Sequence, residues 1–392
     1  MVVNFEFLDD EPIENLITCM NFKIDRVVFF GYHKTIEEQK DRTEKFLQKY
    51  CGVQTVVFHA LSQHDLQSTL NSMRKEVQYE RSQKNQIYFD ITGGEDLILV
   101  AFGMLSKEFE MPMHMYDVAA GKLIELDKGA GDDLSKSAGA RTVPMTLDML
   151  VEMRGGRINN NLHKGIKDAN DPEFMDDAEK IYQVARQNWD CWNPFSDFLR
   201  NKMASEDLTS LQVSLNTHMV LDALAKSKTK LNDVYKLNAI IDGLAAEGIL
   251  LDVNHSDGFY GFRFKNQAVK ECLWEGGSVL ELHIYREEVG HSSDCRVGVH
   301  LDWDGIIHDG PGVDVLNEID VLSLNGNVPT FISCKSGKMG ADASLHALYE
   351  LETVAERFGG KYARKVLVSA KNLEPVYFKR AAEMGIEVRV LS

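Results

Sequence analysis

The six cysteines, Cys19, Cys51, Cys191, Cys272, Cys295 and Cys334, form no CxxC pair anywhere in the 392 residues. That argues against a zinc ribbon or a disulfide framework, and reduced thiols are expected. No apolar run approaches the length that spans a bilayer, and the opening MVVNFEFLDDEP has neither a basic stretch nor a cleavage site. A cytoplasmic protein with no membrane segment is expected. A basic surplus is missing too: the net charge is −17, which argues against non-specific coating of duplex nucleic acid, because such affinity is dominated by phosphate neutralisation. No GxGxxG follows a strand-like run, which disfavours ordinary dinucleotide binding. His283, His291, His300 and His308 match no zinc-ligand spacing. The acidic stretch from Asp302 and Asp304 through His308-Asp309-Gly310 lacks the later ligands and closing glutamate of a calcium loop. With Pro311 it reads as a turn-rich loop that at most shapes the mouth of a neighbouring site. Neither repeats nor low-complexity tracts stand out.

The front half carries short apolar runs separated by helical patterns: Arg26 to Tyr32 (RVVFFGY), Thr55 to Leu61 (TVVFHAL) and Gln86 to Thr92 (QIYFDIT). That alternation predicts a parallel α/β sheet of Rossmann type, which binds ligands at the carboxyl ends of its strands. The third run leads into Thr92-Gly93-Gly94-Glu95 and an apolar helix, DLILVAFGMLSKEF. Glycines at such a turn let the backbone approach a ligand, and the helix start offers N–H groups to phosphate.

The richest stretch is Asn317 to Gly337, NEIDVLSLNGNVPTFISCKSG. Two β-branched and apolar runs flank Asn325-Gly326-Asn327 and predict a hairpin, with Asp320 and Lys335 on adjacent strands. Phosphodiester hydrolysis needs hard oxygen ligands for a divalent cation, and a lysine can orient the water or stabilise the transition state. Asp320 is therefore the candidate metal ligand and Lys335 the candidate group that serves the water. An amphipathic helix precedes the hairpin (GSVLELHIYREE, from Gly277), another follows it (SLHALYELETVAERF, from Ser344), and the strand KVLVSA comes next. Lysines and arginines gather around and beyond the hairpin, at Lys335, Lys338, Arg357, Lys361, Arg364, Lys365 and Lys371, so nucleic-acid contact would be local.

The order helix, hairpin, helix, strand resembles the restriction-endonuclease-like fold of the PD-(D/E)xK nucleases over about the last hundred and twenty residues. The resemblance implies an acid on the leading helix that completes the metal site, and Glu281 matches it, with Glu287 and Glu288 left as solvated last-turn residues. It also implies an acid two residues before the lysine, where this chain has Ser333-Cys334-Lys335. Glu318, on the same strand face as Asp320, or Glu281 with the Cys334 carbonyl, is left to supply the missing ligand. Otherwise the site is inactive.

With the TGG turn in front and the NEID hairpin behind, the whole chain resembles the CRISPR-associated CARF-domain nucleases. The resemblance implies a homodimer whose front domain binds cyclic tetra-adenylate and whose rear domain cuts single-stranded DNA and RNA with Mn²⁺ or Mg²⁺. Thr92, Gly93 and Gly94 match the ligand-cradling turn, and Gly31, His33 and Thr35 fall in a loop facing the same pocket.

Three segments are expected: a CARF-like sensor at 1–140, closing in the small, polar Gly129 to Ala140; a helical connector with a winged-helix-like module at 141–270; and the nuclease domain at 271–392. The module's helix, Asp233 to Glu247, carries Lys236 as its only base, which favours a structural role over DNA contact. Two rivals stand beside the gated nuclease: a ligand-responsive transcription regulator with a decayed nuclease fold, and an ungated repair or restriction nuclease.

Overall fold

The computed structural model describes residues 1–62, 65–159, 164–203, 209–256, 258–306 and 316–391. The expected turn-rich stretch at His308, Asp309, Gly310 and Pro311 lies outside them. Contacts gather into two compact units. One holds Met1–Gly156 with Gly326–Val328 and Gly360–Tyr362; the other holds Arg157–Asn325, Pro329–Gly359 and Ala363–Ser392.

The front unit is a six-stranded sheet made of β1 (Val2–Phe7), β2 (Arg26–Tyr32), β3 (Thr55–Leu61), β4 (Gln86–Asp90), β5 (Met113–Asp117) and β6 (Lys122–Asp127). Its order is β3-β2-β1-β4-β5-β6, parallel except for the β5–β6 pair. The helices are α1 (Ile17–Asn21), α2 (His33–Phe46), α3 (Leu66–Ser82), α4 (Asp96–Phe109), α5 (Leu134–Ser137) and α6 (Leu147–Met153). All of β1 is buried, as a strand inside a parallel sheet has both faces covered. Phe5 of β1 lies edge-on to Phe30 and to Phe89, 5.7 Å from each, and Phe102 of α4 closes the cluster 5.3 Å from Phe89. Beside this core the strand order reverses between β1 and β4, the place where α/β sheets open a crevice.

The rear unit contains a second six-stranded sheet, ordered β15-β14-β13-β12-β11-β7. Its strands are β7 (Arg157–Asn159), β11 (Asp294–Asp302), β12 (Leu316–Asn325), β13 (Val328–Lys335), β14 (Arg364–Ser369) and β15 (Ile386–Val390). β7, β11 and β12 pair antiparallel, whereas β13, β14 and β15 pair parallel. A small antiparallel sheet, β8 (Gln212–Leu215), β10 (Tyr260–Phe264) and β9 (Leu250–Asn254), accompanies α9 (Thr217–Ala225), α10 (Val234–Ala246) and α11 (Gln267–Trp274) in a winged-helix-like arrangement. The remaining helices are α7 (Pro172–Gln187), α8 (Trp189–Phe198), α12 (Ser278–Val289), α13 (Ala341–Gly359) and α14 (Pro375–Glu383). One apolar core joins α7, α8, α10 and α12 to β13 and β14: Ile181, Trp192, Ile241, Leu280, Ile332 and Val368 belong to a single buried cluster. No helix among the described residues is long and apolar enough to cross a membrane.

Truncating Phe5 to Ala removes a fully buried ring that touches two others, so a loss of about 3–5 kcal/mol is expected. A lower urea midpoint, followed by circular dichroism, is the measurement; an unchanged midpoint would contradict this core.

Candidate active and effector sites

Gly326, at φ +61, makes the turn between β12 and β13, the left-handed conformation that glycine adopts without penalty. Around Asp320 the side chains of β12 alternate, with Ile319 and Val321 buried and Asp320 half-buried. Asp320 accepts a hydrogen bond from the Cys334 backbone N–H and one of 3.2 Å from the Ser333 hydroxyl. Lys335 Nζ stands 3.7 Å from the same carboxylate. All three contacts fall on Oδ2, which leaves Oδ1 as the oxygen they do not engage.

Glu281 lies in the first turn of α12, half-buried, with Oε1 3.2 Å from the place a Cβ on Gly277 would occupy. Burial pushes the Cys334 thiol well up, the charges of Asp320 and Glu281 push it further, and Lys335 opposes them. The carboxylates of β12 and α12 therefore both act on Cys334. Glu318 is exposed, and its ion-pair contact is His300 Nε2 at 3.9 Å; its side chain is not drawn into the Asp320–Lys335 group. Glu287 reaches His283, while Glu288 accepts the Ser323 hydroxyl and pairs with Arg389. Asp302 ends β11 buried against Arg157, 3.3 Å away.

A cation bound here would take Asp320, Glu281 and the Cys334 carbonyl. That oxygen-only set suits Mg²⁺ or Mn²⁺, which complete their coordination with water and phosphate oxygens. Among the described residues no group of three or more His, Cys, Asp and Glu side chains converges on one point. The Ser333 hydroxyl, on the Asp320 carboxylate, stands where an acid would add a further charge.

In the front unit, β4 ends at Asp90 and the chain turns through Thr92, Gly93 and Gly94 into α4. The Thr92 N–H donates to Asp90 Oδ1 at 2.8 Å, its hydroxyl donates to the same oxygen, and it accepts the Tyr116 N–H at 2.8 Å. The hydroxyl thus holds the turn to β5. A Cβ on Gly93 would come within 3.2 Å of Asp9 and Glu14, and Gly94, at φ +132, donates its N–H to Asp9 Oδ2 at 3.0 Å. Here the glycines admit the loop that follows β1. Gly31 is similarly closed in, with Leu8 and Ile36 3.1 and 3.2 Å from a Cβ placed on it. His33 opens α2 exposed, and Thr35 donates to Asp10 at 3.4 Å. Tyr32 donates to Glu95 at 2.8 Å; burial first, and that bond second, push its phenol up to about 12.

Beneath the turn is a polar group the sequence reading passed over. Asp90 is 1% exposed and receives the Thr18 hydroxyl, with His114 Nε2 at 3.2 Å. Burial pushes Asp90 upward, but His114 and the hydrogen bonds from His114, Thr18 and Thr92 outweigh it and hold the carboxyl below its ordinary value. Glu6, bonded by the Asn4 amide, goes the other way: burial, then the Asp90 charge, raise it well above 4.5. The available signal was a charge inside each apolar strand: Glu6 in VVNFEF, Asp90 in QIYFD and His114 in MHMYD.

Unfolded, Glu6 ionises near 4.5, whereas folded it keeps its proton well above that. The unfolded chain alone releases a proton as pH rises, so wild type loses stability upward from that point. Glu6→Gln is expected to raise the urea midpoint at about pH 7 and leave it nearly unchanged at about pH 4. Destabilisation at pH 7 that fades towards pH 4 would mean instead that a charged Glu6 is needed.

Residues 270–390 match the family described as Card1-like, endonuclease domain. No curated protein matches the chain in sequence. Among solved structures, protein VC1899 from Vibrio cholerae is similar at 16% identity, TM-score 0.71, covering 99% of this chain and 94% of that one. Can2 from Sulfobacillus thermosulfidooxidans, solved in complex with cyclic tetra-adenylate, is similar at 14% identity, TM-score 0.61, covering 98% and 92%. A type III CRISPR defence DNA nuclease activated by cyclic oligoadenylate is similar at 15% identity, TM-score 0.51, covering 98% of this chain and 51% of that one. Residues 270–390 thus match a Card1-like endonuclease domain, and the chain as a whole has the fold seen in VC1899 and Can2.

Proposed function

We propose that the protein is a metal-dependent endonuclease, switched on by cyclic tetra-adenylate, that cuts single-stranded DNA and RNA in type III CRISPR antiviral defence in the cytoplasm. The observation that carries this reading is the meeting of Asp320 and Lys335, 3.7 Å apart on adjacent strands of the Card1-like domain. Mn²⁺ or Mg²⁺ held by Asp320, Glu281 and the Cys334 carbonyl would supply a Lewis acid for the scissile phosphate and for water. Lys335 orients the attacking water and offsets charge on the phosphate as in-line displacement breaks the P–O bond. Glu318, held toward His300, adds charge at the rim.

The effector lies at the switch point between β1 and β4, where Thr92, Gly93 and Gly94, Gly31, His33 and Thr35 line the strand ends and α4 presents its first N–H groups. Support comes from the Can2 complex with cyclic tetra-adenylate. Val100 and Met104, one turn apart on α4, are 53% and 49% exposed, an apolar strip that a second copy covers in the proposed homodimer. Gating works through the ligand's higher affinity for the active dimer geometry.

One observation favours a second reading, a ligand-responsive regulator that keeps the nuclease fold without its chemistry: Ser333 replaces a carboxylate and bonds the remaining one.

Cleavage of circular single-stranded DNA and of labelled RNA, with and without cyclic tetra-adenylate, in Mn²⁺ and in chelator, separates the two. Cutting that requires both ligand and metal is expected; ligand binding with no cutting in any condition hands the assignment to the regulator. Asp320→Ala and Lys335→Ala should each lower the rate by about 100-fold or more while leaving effector affinity unchanged. Ser333→Glu should lower the Mn²⁺ concentration for half-maximal cutting by about tenfold, measured by metal titration. A rate unmoved by Asp320→Ala would remove the metal assignment.

A further inference from the structure

A cleft of about 710 Å³ opens in the rear unit between the end of α7, the start of α8, the start of α10 and the segment after β14. Arg186, Asp190, Tyr235, Lys236 and Lys371 line it. Tyr235 is 84% exposed, more than any other large apolar or aromatic side chain among the described residues. An aromatic ring held out from the first turn of a helix exposes apolar area in water without supporting the core, which a stacking ligand would cover.

The charges around it run against the chain's overall sign. Asp190 is the wall's carboxylate, and it bridges Lys230 at 2.6 Å and Lys371 at 2.8 Å. Hydrogen bonds from Lys230 first and Lys371 second pull it down to about 2, so it stays ionised and fixes both ammonium groups. Lys236 is steadied by Asp233 at 3.2 Å and by the Lys230 carbonyl at 2.9 Å. Arg186 adds a further cation. A chain of net charge −17 thus gathers four cations about one aromatic face, opposite in sign to a phosphate backbone.

The cleft also adjoins the hairpin on two elements. The Ala370 N–H donates to the Lys335 carbonyl at 2.9 Å, and Lys371 follows. On α8, Asn193 sits one turn after Asp190 and accepts the Ser336 hydroxyl at 3.1 Å, just past Lys335. Trp192 between them donates to the Gly276 carbonyl at 3.1 Å, ahead of the helix that carries Glu281.

We infer that this cleft seats the single-stranded substrate beside the scissile phosphate, with an unpaired base stacked on Tyr235 and the backbone following Arg186 and Lys371. The inference deepens the nuclease reading and rests on it. It gives the winged-helix-like module a substrate role that its single helix base, Lys236, did not suggest, because stacking on one tyrosine needs an unpaired base and few phosphate contacts. Duplex would hide the base and forfeit the stack.

The test is anisotropy of a fluorescein-labelled oligothymidylate of about 20 nucleotides, in chelator so that nothing is cut, with and without cyclic tetra-adenylate. Tyr235→Ala is expected to weaken binding by about 5- to 100-fold and Tyr235→Phe to keep it. Arg186→Ala should lower the slope of log affinity against log salt by about 0.7. Tyr235→Ala that binds within twofold of wild type overturns the cleft, and so does wild type that never binds the strand. Cutting assays on the same proteins keep the two readings apart. A nuclease whose strand affinity ignores Tyr235 loses the cleft and keeps its chemistry, while Tyr235-dependent binding without any cutting keeps the cleft and loses the chemistry.

Discussion

The hydrogen bond from the Cys334 N–H to Asp320 fixes the acid of one strand against the backbone of the next. A backbone donor has no rotamer to escape into, so the bond exists in one hairpin register only. A slip of one residue would turn Asp320 to the opposite face. The register is held by Gly326 in the turn and by Ile319, Val321, Phe331 and Ile332, all buried. Lys335 at 3.7 Å and the Ser333 hydroxyl at 3.2 Å are consequences of that register. β14, parallel to β13 with Ser369 paired to Lys335, carries it onward to the next strand.

The electrostatics of the two sites differ in kind. At the hairpin, two carboxylates and one lysine flank a thiol that burial and the carboxylates keep protonated, so Cys334 is no nucleophile and contributes its backbone. At the β4 turn, charge is taken fully inside. Asp90 is held below its ordinary value by what surrounds it, while burial first and the Asp90 charge second raise Glu6, two residues from Asn4 on β1. Two acids that share a donor network in a low-dielectric interior cannot both ionise cheaply. The turn that carries Thr92, Gly93 and Gly94 is tied to the Asp90 carboxylate through both Thr92 hydrogen bonds.

Much of the fold was legible because hydrophobic period survives tertiary packing. RVVFFGY and TVVFHAL are β2 and β3 residue for residue, DLILVAFGMLSKEF is α4, and the hairpin flanks Gly326 as its Asn-Gly-Asn turn implied. β1 was passed over because Asn4 and Glu6 interrupt VVNFEF with polar residues that are nonetheless buried. Periodicity sees polarity and cannot see a partner such as Asp90, which is 86 residues from Asn4. Of the site, the pairing of Asp320 with Lys335 was readable from spacing alone. The direction of Glu318 toward His300 was not, since it depends on β11 lying alongside β12 in a register that pairs those two residues. The glycines of the TGG turn were read as room for a ligand, whereas the loop holding Asp9 and Glu14 closes on them.

β7, three residues long, lies at the rim of the rear sheet and pairs with β11 through His300, Leu301 and Asp302, far ahead in sequence of the rest of that sheet. The segment 270–390 recognisable as an endonuclease domain is therefore not the whole of what folds as one. Cut away from the chain before it, that segment would bare the β11 edge, a row of unpaired N–H and C=O groups open to another strand. It would also strip from α12 the covering of α7, where Tyr182 stacks on His283 at 3.6 Å. The segment that is recognised and the unit that folds differ here, and a cell that made the shorter piece would be making an aggregation template.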